Sequence, residues 1–112
     1  MDLPIYPQAA FTGEFTAYEF EKLTIPTDAV RTPTAAKLSA AGKHNADRAW
    51  ITVETGNIRW TIHGGDPTAT DGHLGYADGN VEVLGKTNVA ALRMIAETVE
   101  ATVQITYSRY EE

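Results

Sequence analysis

Residues 48–63 constrain the fold more than any other stretch of this chain, because apolar and polar side chains alternate there with a period of two. The apolar positions in the two runs are Ala49, Ile51, Val53, Ile58, Trp60 and Ile62. Between the runs, Gly56 and Asn57 both tolerate the positive φ that a tight turn requires. The pattern predicts two antiparallel strands joined as a hairpin, and with them an all-β fold.

Extended segments are predicted on both sides of this hairpin. Residues 11–25 are rich in aromatic and β-branched side chains but alternate imperfectly, which is typical of an edge strand or of a strand with a bulge. Shorter runs bounded by turn residues predict further strands at residues 34–41, 74–76, 81–85 and 101–109. In the last run, Val103, Ile105 and Tyr107 are expected to point into the core.

Residues 89–100 fit two structures. Their apolar residues have the spacing of a helix: Val89, Leu92, Ile95, Ala96 and Val99. Alternatively, Leu92 and Met94 form one face of a short strand. Counting a strand here, the chain has about eight closely spaced strands, which normally fold as two packed sheets or as a small barrel. We therefore expect an antiparallel β-sandwich.

Composition and charge narrow the class of protein. The chain is 43% apolar and 21% charged, which is ordinary for a globular domain. We expect one domain at residues 11–112, preceded by an extended N-terminal arm at residues 1–10. The net charge of −6 opposes binding to phosphate backbones and anionic lipids, so neither nucleic acid nor membrane is an expected partner. Cysteine is absent from the sequence, and no signal peptide is recognisable in the first ten residues.

The clearest group of potential metal ligands is His63, Asp66, Asp71 and His73, which fall within eleven residues. The preferred interpretation is structural: Asp66 and Asp71 cap their own turns, and His73 holds the loop closed by a hydrogen bond to a backbone carbonyl. No metal and no cofactor is therefore predicted. Paired carboxylates, a nucleophile elbow and a glycine-rich phosphate loop are not recognisable, so we do not expect an enzyme.

Two groups of residues are candidates for protein contacts. Trp50 lies on the outward set of its strand beside Arg48, where it could be covered by another layer, form an interface hot spot or stack on a sugar ring. Arg59 and Arg93 are candidates for contacts with carboxylates of a partner, and together with Arg109 they are expected on neighbouring strands near one end of the sheet. The remaining candidates, in the N-terminal arm, are Ile5 and Tyr6.

The segments IRWTIHGGDPTATDGHLGY, VEVLGK, LRMIA and ATVQITYSR resemble small structural proteins of tailed bacteriophages. The matching residues are Arg59, Gly64, Asp66, Pro67, Thr68, Ala69, Gly72, His73, Arg93, Thr106 and Tyr107. The resemblance covers the chain well from about residue 48 onward and only loosely before it. Gly65 departs from the pattern, which has a small polar residue there. The resemblance favours the strand over the helix at residues 92–95.

The resemblance implies a jelly-roll-like β-sandwich that attaches to the capsid or to the head-to-tail region. The expected function is that of a capsid decoration (cement) protein, which bridges subunits of the major capsid protein and stabilises the head. Such a protein would be a dimer or trimer, located in a virion assembled in the host cytoplasm, with other virion proteins as further partners. The alternatives are a head-to-tail connector or tail-associated subunit, and a carbohydrate-binding β-sandwich that uses Trp50 or Tyr76.

Overall fold

The computed structural model describes residues 14–42 and 44–111, and in this part of the chain it contains seven strands in two antiparallel sheets. The strands are β1 (Glu14–Ile25), β2 (Arg48–Thr55), β3 (Ile58–Thr61), β4 (His73–Gly75), β5 (Asn80–Leu84), β6 (Arg93–Ala96) and β7 (Ala101–Glu111). The helical segments are α1 (Ala35–Leu38), α2 (Lys86–Ala90) and a 3-10 turn at Ala40–Gly42. The predicted all-β sandwich is confirmed. The predicted arm, with Ile5 and Tyr6, lies outside the described residues.

The strand order is that of a jelly roll with one strand almost missing. One sheet has the order β1-β7-β2-β5 and the other β4-β3-β6. In an eight-stranded jelly roll, the first, eighth, third and sixth strands form one sheet, and the second, seventh, fourth and fifth form the other. The described strands reproduce this order if the second strand is reduced to Arg31. This residue exchanges two backbone hydrogen bonds of 2.8 and 2.9 Å with Met94 of β6.

The segment after Arg31 does not continue as a strand, so the strand predicted at residues 34–41 is wrong. Pro33 lacks the N–H that a ladder needs, and the alanine, lysine and leucine residues that follow favour a helix. The chain forms α1 and then the 3-10 turn instead, with Leu38 buried beneath.

The predicted hairpin between β2 and β3 is also wrong, although both strands are present. β2 pairs with β5 and β7, whereas β3 pairs with β4 and β6 in the opposite sheet. Gly56 has a φ of +71°, and a Cβ there would lie 2.9 Å from the carbonyl oxygen of Glu100. Because β2 and β3 belong to different sheets, this turn carries the chain from one sheet to the other.

The core lies between the two sheets, and β7 contributes most to it. Val103, Ile105 and Tyr107 are fully buried, as the alternation predicts. On the opposite sheet, Met94 is fully buried, which confirms the strand interpretation of this segment. β1 is an edge strand and its register shifts between Ala17 and Glu19, so both features expected of this segment are present.

Buried polar contacts hold the connection between β1 and β2 against β7. The guanidinium group of Arg109, which is 3% exposed, donates hydrogen bonds to carbonyl oxygens of this connection. The carboxylate of Glu21 accepts hydrogen bonds from Tyr107 and from Thr34. Arg59 and Arg93 lie on the neighbouring strands β3 and β6, as predicted, but Arg109 lies in the four-stranded sheet, so the prediction is wrong for Arg109.

Asp47 closes the same connection just before β2. Its carboxylate accepts a hydrogen bond of 2.8 Å from the backbone N–H of Tyr110 and lies 2.9 Å from the Nε2 atom of His44. Burial alone would raise the pKa of Asp47, but these two partners together hold it below its usual value.

Candidate functional site

The outer face of the four-stranded sheet carries a group of large apolar side chains that the fold leaves in contact with solvent. We call Phe15, Phe20, Trp50 and Leu84 the aromatic surface; their side chains are 43%, 50%, 37% and 51% exposed. The strand register brings them together. Phe20, Thr106, Trp50 and Glu82 form one row across the sheet, and Ala17, Ser108, Arg48 and Leu84 form the next.

Arg48 lies within the aromatic surface and links its parts. Its guanidinium carbon is 5.3 Å from the ring centroid of Trp50 and 5.8 Å from that of Phe15, both within the range of cation–π attraction. The same guanidinium forms an ion pair with Glu82 of the neighbouring strand. The surface is therefore apolar and aromatic, with one positive and one negative charge that balance each other.

The apolar character is confined to one half of this face. Farther along the same strands, the outward positions are occupied by Lys22, Thr52 and Gln104. Solvated faces of antiparallel sheets normally carry polar side chains of this kind, so the polar half follows the usual pattern. The aromatic half does not, and exposed apolar patches with polar rims typically mark contact sites for other molecules.

Arg59 and Arg93, the candidates for contacts with a partner, form ion pairs within the chain. The Nε and Nη2 atoms of Arg59 lie 3.1 and 2.8 Å from one carboxylate oxygen of Glu97. Its Nη1 atom donates to the carbonyl of Gly72 at 3.2 Å. Arg93 donates to Asp66 at 2.6 Å. The contacts with Gly72 and Asp66 tie the loop at residues 62–72 to the three-stranded sheet.

The loop is closed by contacts that differ from those predicted for its side chains. The carboxylate of Asp66 accepts a hydrogen bond from Arg93 rather than capping its own turn. The carboxylate of Asp71 accepts one from the hydroxyl of Thr68 at 3.1 Å. His73 packs against Trp60, with ring centroids 4.8 Å apart, and the described contacts include no hydrogen bond from His73 to a carbonyl. Its contribution to loop closure is therefore a ring contact.

A shallow cavity of about 560 Å³ opens beside this loop. It is lined by Thr61, Ile62, His63, Asp66, Asp71, Gly72 and His73. It thus brings together the four residues that were considered as metal ligands. Within residues 14–42 and 44–111, no three His, Asp or Glu side chains are arranged so that they could hold one metal ion.

The backbone conformation of the loop can be tested at Gly72, its last glycine. Gly72 has φ of +121°, and a Cβ there would lie 3.1 Å from Pro67 and 3.2 Å from the carbonyl oxygen of Trp60. Gly64 has φ of +99° but open space around it. We expect Gly64→Ala to cost about 1–2 kcal/mol from backbone strain, and Gly72→Ala to cost about 1 kcal/mol more because of crowding. Urea denaturation of both variants measures the difference, and equal losses would contradict the described packing of the loop.

Only part of the aromatic surface could be predicted from the sequence. Trp50 and Arg48 were identified from alternation in β2, and the structure places them side by side. Phe15, Phe20 and Leu84 were missed, because their proximity to Trp50 depends on the pairing of β1 with β7 and of β5 with β2. The available signal was the imperfect alternation of residues 11–25, which left aromatic residues on a solvated face.

The helices of the described part are all too short to cross a bilayer. In comparisons with known proteins, no protein-family model, curated protein or solved structure matches this chain.

Proposed function

We propose that this protein is a structural subunit of a tailed-bacteriophage particle, and specifically a decoration protein that binds the assembled capsid. The observation that carries the proposal is the aromatic surface. Its four exposed apolar side chains surround a charge-balanced Arg48, and aromatic and arginine side chains dominate the binding energy of protein interfaces. The resemblance of residues 59–109 to small phage structural proteins, together with the jelly-roll sandwich, supports the same function.

The proposed mechanism is mechanical stabilisation. A subunit that binds only the assembled shell shifts the equilibrium toward that shell by mass action. Weak contacts suffice, because many copies on one particle, or several contacts per oligomer, raise the overall affinity through avidity. A sandwich fixed by buried polar contacts, such as those of Arg109 and Glu21, suits this role because it presents its surface without rearrangement.

Rebinding to particles tests the proposal. Purified protein is mixed with phage particles that lack it, and bound protein is quantified after sedimentation. We expect saturable binding by the native chain and at least tenfold weaker binding by Trp50→Ala, since loss of a central aromatic contact costs about 2 kcal/mol. Tyr76→Ala is the matched control, because Tyr76 is 63% exposed and lies outside the aromatic surface.

Two other outcomes point to the alternatives. Binding at the neck or tail alone would replace decoration by a connector or tail-associated role. Absence of particle binding, together with binding of glycans that Trp50→Ala abolishes, would replace the virion function by carbohydrate recognition. The Arg48 guanidinium lies over the indole of Trp50 and occupies ring surface on which a sugar would stack, which counts against carbohydrate recognition.

A further inference from the structure

We infer that Asp71–Gly72 is a site of spontaneous covalent modification, at which aspartate rearranges to isoaspartate, whereas the same dipeptide at Asp78–Gly79 is protected by the fold. The sequence contains these two Asp-Gly pairs and no Asn-Gly pair. The reaction begins when the backbone nitrogen of the glycine attacks the carboxyl carbon of the aspartate. Glycine permits the attack because it has no side chain to shield its nitrogen or to restrict its backbone. The surroundings of each pair therefore decide which one reacts.

The rearrangement of Asp71 needs no reactant other than water. The nitrogen of Gly72 forms a bond to Cγ of Asp71 and loses its proton, and one carboxyl oxygen leaves as water, which closes a five-membered succinimide ring. Water then adds to one of the two ring carbonyls and breaks its bond to the nitrogen. One route restores aspartate. The other leaves isoaspartate, which has the same mass but one additional carbon in the main chain.

The amide groups of the two glycines differ in their hydrogen bonds. Gly72 is exposed, and its N–H has no hydrogen-bond partner within residues 14–42 and 44–111. The N–H of Gly79 donates to the carbonyl of Tyr76 at 2.9 Å. Gly79 must give up this bond before its nitrogen can attack. The net contribution of one backbone hydrogen bond corresponds to about a tenfold difference in rate.

The Asp78–Gly79 pair is also held on both sides by β2. The N–H of Asp78 donates to the carbonyl of Val53 at 2.7 Å, and the N–H of Val53 donates to the carbonyl of Gly79 at 2.9 Å. Closure of the succinimide ring requires rotation about the backbone bonds of the aspartate, and these contacts oppose it. They connect the pair to a central strand of the four-stranded sheet, so they open less readily than contacts within an exposed loop.

Thr68 polarises both reacting groups of the other pair. Its N–H donates to the carbonyl of Asp71 at 2.9 Å, which withdraws electron density from the amide that contains the nitrogen of Gly72. Its hydroxyl donates to the carboxylate of Asp71 at 3.1 Å, which withdraws electron density from Cγ. Thr68, Asp71 and Gly72 are all exposed, so water reaches the ring in the second step.

The longer main chain of isoaspartate does not fit the present contacts of the loop. Even a Cβ on Gly72 would lie 3.1 Å from Pro67 and 3.2 Å from the carbonyl oxygen of Trp60. The carbonyl of Gly72 also accepts from Arg59. An added main-chain carbon directly before Gly72 must displace at least one of these neighbours. We therefore expect modified molecules to unfold at lower urea concentration than unmodified ones.

Incubation of the purified chain at physiological temperature for several weeks tests the inference. Trypsin releases residues 60–86 as one peptide that contains both pairs, so mass spectrometry with electron-transfer fragmentation measures isoaspartate at both positions in the same sample. A parallel sample in urea gives the rates of the unfolded chain. We expect the ratio of isoaspartate at Asp71 to that at Asp78 to be about tenfold higher in the folded protein than in urea.

Asp71→Glu is the matched variant, because a glutamate would have to close a less favourable six-membered ring. We expect it to form no isoaspartate at position 71 and to gain no population of lower urea midpoint on incubation. The inference is overturned if the two pairs react in the same ratio with and without urea, or if Asp78 reacts faster in the folded protein. It is also overturned if the folded protein gains no isoaspartate at Asp71 while the unfolded chain does.

Discussion

Replacement of Arg109 by methionine is expected to lower the free energy of unfolding by about 3–5 kcal/mol, the usual loss when one partner of a buried charged contact is removed. Its Nε atom donates to the carbonyl of His44 at 2.6 Å, and its Nη2 atom donates to those of Ala40 and Leu38 at 2.6 and 3.3 Å. Its guanidinium carbon also lies 3.6 Å from the ring centroid of Tyr18. Methionine fills similar space but removes the donors to the carbonyls of His44 and Ala40, while the carbonyl of Leu38 still accepts from the Tyr18 hydroxyl.

The expected loss is large because of the reduced second strand. In a full jelly roll, this connection would satisfy its carbonyl groups in the sheet ladder. Here the chain forms α1 and a 3-10 turn, whose last carbonyls have no partners within the helix, and Arg109 supplies the donors from β7. Arg109 thus supplies hydrogen bonds that a regular second strand would otherwise supply.

Urea denaturation compares Arg109→Met with Arg109→Lys and Arg48→Met. Lysine should recover little, because a single ammonium group does not reproduce the fork of the guanidinium. Arg48→Met should cost less than about 1 kcal/mol, because its ion pair with Glu82 lies on the solvated face. A loss for Arg109→Met no greater than that for Arg48→Met would contradict its role as the anchor of the connection.

The second large effect is expected for Tyr107→Phe, which should cost about 2 kcal/mol. The Tyr107 hydroxyl is buried and donates to the carboxylate of Glu21, itself only 7% exposed. Thr34 donates to the same carboxylate through its hydroxyl at 2.6 Å and its backbone N–H at 3.0 Å. Removing the hydroxyl leaves a buried carboxylate with fewer donors, which is costly because charge is poorly solvated in the interior.

Alkaline pH provides an independent readout of the same contact. Burial, followed by the hydrogen bond to Glu21, raises the pKa of Tyr107 above its usual value of 10.0. Because the folded state resists ionisation, the stability from this group is complete below pH 10 and falls as the unfolded chain ionises above it. The expected slope is about 1.4 kcal/mol per pH unit.

Denaturation between pH 8 and pH 11 should show a shallower loss of stability in Tyr107→Phe than in the native chain. Tyr76→Phe is the control, because Tyr76 is 63% exposed and its phenol meets solvent in both states. Identical slopes for the native chain and Tyr107→Phe would show that the Tyr107 hydroxyl ionises as readily in the folded protein as in the unfolded one.

Strand identity was accessible from sequence wherever one face of a strand is buried. The alternation in β2 and β7 predicted the buried set correctly, from Ala49 and Ile51 to Val103 and Ile105. At residues 92–95 the resemblance favoured a strand, and β6 lies at Arg93–Ala96, whereas Val89 and Ala90 belong to α2. In each case, a period of two is imposed by a single buried face, so the pattern contains the information needed.

The pairing of strands could not be predicted, because the alternation within one strand does not indicate which other strand it will pair with. The sequence pattern of β2 and β3 fits a hairpin as well as it fits a crossing between sheets, and the pairing of β2 with β7 and of β3 with β6 distinguishes them. The same limit hid most of the aromatic surface. Its members come from β1, β2 and β5, and only the register with β7 brings Phe20 into the row of Trp50.

The buried roles of Arg109 and Glu21 were missed for a related reason. Charged residues are mostly exposed, so Glu21 did not stand out in an alternating strand, and Arg109 was grouped with Arg59 and Arg93. Both compensate for the absence of a regular second strand, a feature of topology that local patterns do not reveal. The two arginines that were candidates for a partner, Arg59 and Arg93, form ion pairs with Glu97 and Asp66 of the same chain.

We propose that this chain is a stoichiometric building block of a virus particle. Quantitative mass spectrometry of density-purified phage particles, with the major capsid protein as internal standard, tests it most directly. We expect hundreds of copies per particle, in a fixed ratio to the capsid protein. The proposal is contradicted if infected cells express the chain but the particles they release contain none of it.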